Sequence, residues 1–168
     1  MDKRRSFMKM LPALAAIPVA ASNDGRGEEP GRDTVLGAWS GIHTLPFPPG
    51  SFREFLNFAE GGAFAETNSF LHTASALDFS SFGLPPSISA SDGVGSWKWL
   101  RDGEVAIEFR KLLFDGSKVN FGDLLVTGTA AVKRRVLNAN WHIVVVNSID
   151  GSLLLDFGTA SSAGHRIG

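Results

Sequence analysis

The chain has 168 residues, a formal net charge of −1 with both signs scattered, and neither cysteine nor tyrosine. That length suits one ordinary domain behind a leader, and the aliphatic and aromatic content supports a real core, which excludes a disordered chain. Without cysteine there are no disulfides, thiolate metal sites or cysteine nucleophiles, and without a basic stripe or acidic run there is no signature of nucleic-acid binding or of a charged tail.

The chain opens on Lys3-Arg4-Arg5-Ser6-Phe7-Met8-Lys9, followed by an apolar run from Met10 to Ala21 that ends in the small residues Val19-Ala20-Ala21. A cationic head, a weakly apolar segment and a small-residue cleavage site are the parts of an export signal. The motif resembles a bacterial twin-arginine signal, with Lys3 where Ser or Thr is usual and Met8 in place of Leu. That resemblance implies a signal peptide over 1–21 cut after Ala21, the twin-arginine export machinery as partner, and a folded protein exported to the periplasm or secreted. The run is shorter than the roughly 20 apolar residues that cross a bilayer, contains Pro12 and Pro18, and is followed by no cysteine. No stable membrane anchor is therefore expected. Residues 22–34, rich in Gly, Glu, Arg and Asp, read as a flexible spacer, and 35–168 as the folded domain.

Ordered sequence begins near Val35-Leu36-Gly37-Ala38-Trp39, and Pro46 to Gly50 breaks it. Phe52–Phe58 and Ala63–Phe70 flank Glu60-Gly61-Gly62, which predicts a β-hairpin. Leu71–Gly93 is a long connection with apolar residues of its own, either a lid or a loop packed on the domain. Beyond it, Gly95–Leu100, Glu104–Phe114, Phe121–Val132, Leu137–Val146 and Leu153–Thr159 are separated by Asp102-Gly103, Asp115-Gly116, Lys133-Arg134-Arg135 and Asp150-Gly151. Val105, Ile107 and Phe109 oppose Glu104, Glu108 and Arg110; Trp141, Ile143 and Val145 oppose Asn138, Asn140 and His142. Such period-two alternation means half-buried strands, and no helical period competes with it. The expected fold is all-β: a single antiparallel up-and-down barrel of about eight strands, with a β-sandwich as the alternative.

Gly37-Ala38-Trp39 on the first strand, a second Gly-x-Trp at Gly95-Ser96-Trp97, and the closing Gly164-His165-Arg166-Ile167 resemble the small bacterial barrels of the lipocalin-like (calycin) type. The resemblance implies that Trp39 plugs the closed end, that Gly37 lets the chain pass beside it, and that the interior holds a small apolar or amphipathic molecule. It implies no particular reaction, because fold does not fix function. Arg166 is expected to stack on Trp39.

The chain has no Gly-x-Ser-x-Gly elbow, His-Glu-x-x-His pair, phosphate loop or dinucleotide fingerprint, and its four histidines are widely spaced. Neither a cofactor nor a metal is expected. Phe64, Glu66, Asn68 and Phe70 share one strand face, so if the phenylalanines point inward the carboxyl and amide do too. An inward carboxyl would have a raised pKa and could act as a general acid or base. The candidate catalytic residues are accordingly Glu66, Asn68 and, at the rim, His72. Phe64, Phe70 and Trp97 are the expected ligand-binding wall, with Phe79 and Phe82 covering the mouth, and Phe52 on the preceding strand is expected to matter less.

The reading is a barrel that binds a small hydrophobic or aromatic molecule, the alternative being a cofactor-independent isomerase, cyclase or lyase in the same cavity. A third possibility is a solid-packed structural barrel. Replacing Arg4 and Arg5 with lysine should strand the protein in the cytoplasm, read by cell fractionation; export and cleavage at Ala21 in that variant would defeat the twin-arginine assignment.

Overall fold

Alternation of side chains between two faces, broken by glycine turns, produces nine strands in the computed structural model, which describes residues 34–48, 50–70, 78–101 and 103–167. The signal segment 1–21, nearly all of the spacer and His72 lie outside the described residues. The strands are β1 (Gly37–Thr44), β2 (Ser51–Phe58), β3 (Ala63–Asn68), β4 (Ser89–Ala90), β5 (Gly93–Arg101), β6 (Glu104–Phe114), β7 (Asn120–Lys133), β8 (Val136–Asn147) and β9 (Leu153–Arg166).

Each long strand pairs antiparallel with the next, in the order β1-β2-β3-β5-β6-β7-β8-β9, and β9 returns to β1. The result is a closed, up-and-down barrel of eight strands, consistent with a lipocalin-like fold. Closure leaves the long strands without free edges, so the ladder itself satisfies the backbone. The short β4 extends the line of β5 along β6, with Ser89 opposite Phe114 and Ala90 opposite Leu113. Between β4 and β5 the backbone N–H of Ser91 donates to Leu112 O at 2.9 Å, and Ser91 Oγ accepts from Leu112 N at 2.9 Å. The described part of the long connection is thereby tied to the barrel, and its Phe79, Leu84 and Ile88 are buried against Leu113 and Val145.

The opposite end is plugged. Trp39 is 1% exposed and donates from Nε1 to Val35 O at 2.7 Å. The Arg166 guanidinium lies 5.4 Å from the indole centroid and donates from Nη2 to the carbonyls of Thr34 and Leu36. Gly37, at φ 103, lies in the left-handed region that favours glycine, and a Cβ there would sit 3.8 Å from the same guanidinium. The Gly-x-Trp and the near-terminal arginine therefore form one device that closes the barrel. The main core extends from it through Phe58, Phe64, Trp97, Val105, Ile107 and Leu137.

Because the indole fills that end and its N–H is bonded, Trp39→Ala should destabilise the domain by about 3–5 kcal/mol in denaturant unfolding. A loss below about 1 kcal/mol would mean that the end is sealed without the indole.

Candidate functional site

Counting inward positions away from the plug leads to polar residues. On β1 the inward series Trp39, Gly41 ends in His43; on β2, Phe58 and Leu56 are followed by Glu54 and then Phe52; on β3, Phe64 is followed by Glu66. On β6, Val105, Ile107 and Phe109 are followed by Lys111. Strand register brings them to a common level, since Glu54 is opposite Asn68, Leu56 opposite Glu66, and His43 opposite both Phe52 and Ser162. Gly93 on β5 faces Glu66, and a Cβ there would come within 3.0 Å of Glu66 Oε2, so the missing side chain gives the carboxylate its room.

Two polar clusters result. In the first, Lys111 Nζ donates to Glu66 Oε2 at 2.7 Å and Asn68 Nδ2 donates to Glu66 Oε1 at 2.6 Å, with Asn68 Oδ1 accepting from Phe70 N at 3.0 Å. The Lys111 and Glu66 side chains are only 3% and 2% exposed. Burial pushes the Glu66 carboxyl above its ordinary pKa, against the opposing pull of the Lys111 charge and the hydrogen bonds from Lys111 and Asn68, while the Glu54 charge adds to the rise. In the second cluster His43 Nδ1 lies 3.1 Å from Glu54 Oε2 and 3.2 Å from Ser162 Oγ. Ser162 Oγ in turn accepts from Trp141 Nε1 at 2.7 Å, and the imidazole stacks on Phe52 with centroids 4.6 Å apart. His43 Nε2 and Glu54 Oε1 are buried and have no hydrogen-bond partner.

Glu66, Asn68 and Lys111 of the first cluster and His43 and Glu54 of the second line a cavity of about 70 Å³ inside the barrel. Its remaining wall is apolar, with Phe70 and Phe79 on one side and Phe47 and Phe157 on another, together with aliphatic residues of β6, β7 and β8. Space of that size exceeds the requirement of a single water several times over.

The residues expected from sequence fall in different places. Glu66 and Asn68 line the cavity and are bonded to each other, and Phe70 and Phe79 are part of its wall. Phe64 points inward but sits deeper, with its ring centroid 4.9 Å from that of Phe58 and 5.2 Å from that of Phe109, and it does not line the cavity. Trp97 is packed at the plugged end, donating from Nε1 to Ala59 O at 3.0 Å. Phe82 is 44% exposed at the mouth, its ring near those of Phe47, Phe79 and Phe157. Phe52, given a lesser role above, is a wall residue stacked on His43.

His43, Glu54 and Lys111 were not among the expected site residues, and strand parity contained the signal for all three. Each follows its apolar neighbours at a spacing of two: Glu54 between Phe52 and Leu56, Lys111 between Phe109 and Leu113, His43 beyond Trp39 and Gly41. Their polarity masks their inward position, which the alternation fixes. Comparison of the chain with protein-family models, curated proteins and solved structures finds no match.

Removing one partner of a buried ion pair leaves an uncompensated charge, whereas removing both does not. Lys111→Met should therefore cost about 3–5 kcal/mol in denaturant unfolding, and Glu66→Leu combined with Lys111→Met should recover most of it. Because Glu66 titrates higher in the folded than in the unfolded chain, it makes stability fall as pH rises from the ordinary carboxylate range through the raised value. The double variant should lack that slope; a Lys111→Met protein as stable as the parent would show the pair to be hydrated.

Proposed function

We propose that this protein is an exported, lipocalin-like barrel that holds a small, largely apolar molecule in its interior. The observation that supports this reading is the cavity itself, which is walled mainly by aromatic and aliphatic side chains and floored by a polar belt with two unpartnered buried atoms. A barrel serving only as a solid support would fill that level with hydrocarbon, as this one does around Phe58, Val105 and Leu137. Apolar wall with a few convergent polar groups is the usual make-up of a small-molecule site. The enzyme alternative draws on the same place, because a base oriented by a carboxylate is the arrangement that moves protons, and His43 backed by Glu54 has that form. Glu66 is the weaker proton carrier of the two clusters, being engaged by both Lys111 and Asn68.

Toluene, a ring-sized apolar probe, should bind saturably and raise the melting temperature. Phe52→Ala and Phe79→Ala each remove a wall ring and should weaken it about tenfold, whereas Phe55→Ala on the outer face should leave it unchanged. Absence of saturable binding would overturn the reading. Following aryl ketone ligands by NMR in D2O tests the enzyme alternative: exchange of acidic C–H signals that His43→Phe abolishes would establish it.

A further inference from the structure

Among the described residues of the polar belt, two buried side-chain atoms have no hydrogen-bond partner. Lys111 is committed to Glu66, and Glu66 also takes the Asn68 amide. His43 uses Nδ1 toward Glu54 and Ser162, and Ser162 is anchored by the Trp141 indole. What remains is Glu54 Oε1, a lone acceptor, and His43 Nε2 beside it on the same dyad, both sealed in residues that line the cavity. The Nε2 role follows the tautomer that the Nδ1 contacts select, whereas the carboxylate oxygen Glu54 Oε1 is an acceptor. A buried acceptor left unpaired costs about 1–3 kcal/mol, so a group that brings a hydrogen to Glu54 Oε1 would complete the site.

Resting on the binding reading above, we propose that the natural ligand carries a hydrogen-bond-donating head, an ammonium or a hydroxyl on an apolar body, seated against Glu54 and His43. The electrostatic surroundings favour the ammonium. Glu54 and Glu66 lie close enough for the charge of one to act on the other, and the only lysine in the belt is already neutralised by Glu66. A cation entering between them is attracted by Glu54 and not opposed by a free positive side chain of the belt, whereas a carboxylate ligand meets a carboxylate in a setting where water screens little. The apolar body then lies along Phe52, Phe70 and Phe79, which line the same cavity as the dyad.

The test is a matched series of one ring with four heads: toluene, benzyl alcohol, benzylamine and benzoate, titrated into the full-length protein by ligand-observed NMR. Benzylamine and benzyl alcohol should each bind at least about tenfold more tightly than toluene, and benzoate at least about tenfold more weakly than benzylamine. Glu54→Gln should cut the advantage of benzylamine over toluene, read as the ratio of the two affinities in that variant, to about threefold or less. If the alcohol outperforms the amine, the donor head stands and the preference for a cation falls. Benzoate binding as tightly as benzylamine, or four equal affinities, would overturn the proposal while leaving apolar binding intact. No binding by any of the four would overturn both. Should Glu54→Gln fail to fold, the ranking on the unmodified protein decides alone.

Discussion

Closure of the sheet is the constraint on which the rest of this structure depends. Once β9 pairs with β1, every second residue of eight strands is committed to one small interior, and its chemistry must be met there. Most positions meet the demand with hydrocarbon, and the glycines and alanines that face inward, among them Gly93, Ala139 and Ala160, make room for the larger neighbours opposite. Where a polar residue takes an inward position it must find a partner on another strand, and register decides which one. Lys111 and Glu66 are 45 residues apart in sequence, and Ser162 and His43 are 119 apart. The polar belt is thus a product of closure and not of any local motif.

The two ends of the barrel divide their tasks accordingly. At the plugged end Trp39, Arg166 and Gly37 close the interior with a bonded indole, a stacked guanidinium and backbone carbonyl acceptors, with Arg166 Nε buried there without a partner of its own. Toward the other end the interior widens under Phe70, Phe79 and Phe157, and the buried ionisable groups lie at that level. Buried ion pairs contribute little net stability compared with well-packed hydrocarbon. Their retention beside a cavity, with Glu54 Oε1 and His43 Nε2 unpartnered, is what the proposed binding reading would require.

Much of the architecture was legible in the sequence because a barrel repeats one simple rule. Alternation along 104–114 and 136–147, together with glycine turns such as Gly61-Gly62 and Gly103, located the strands and their faces, and Gly37-Ala38-Trp39 marked the closed end. The same rule put Glu66 on the face of Phe64 and Phe70, inward only on condition that those rings were inward, and Glu66 is buried. Depth did not follow, because alternation distinguishes inside from outside but says nothing about height along the axis. Phe64 and Trp97 are inward and deep, whereas Phe52 is inward and high, and only the register of β2 against β1 and β3 separates them. The partners of the polar groups were illegible for a related reason: β6 reaches β3 only across β5, and its Lys111 meets Glu66 because Gly93 leaves the gap.

That dependence on a glycine shows how narrowly the site is specified. A side chain at Gly93 would meet the Phe109 ring at 2.7 Å as well as the Glu66 carboxylate, so the position holds apart the deep aromatic core and the polar belt above it. The belt in turn holds its two unpartnered atoms steady: Trp141 fixes Ser162, Ser162 and Glu54 fix the imidazole, and Phe52 stacks on its face. On the proposed binding reading, a ligand would find its partners already oriented, which is the condition under which a small polar head can discriminate strongly. On that reading the aromatic wall would supply affinity in proportion to area, and the choice among ligands would rest on the Glu54–His43 dyad, where a buried acceptor without a donor is costly.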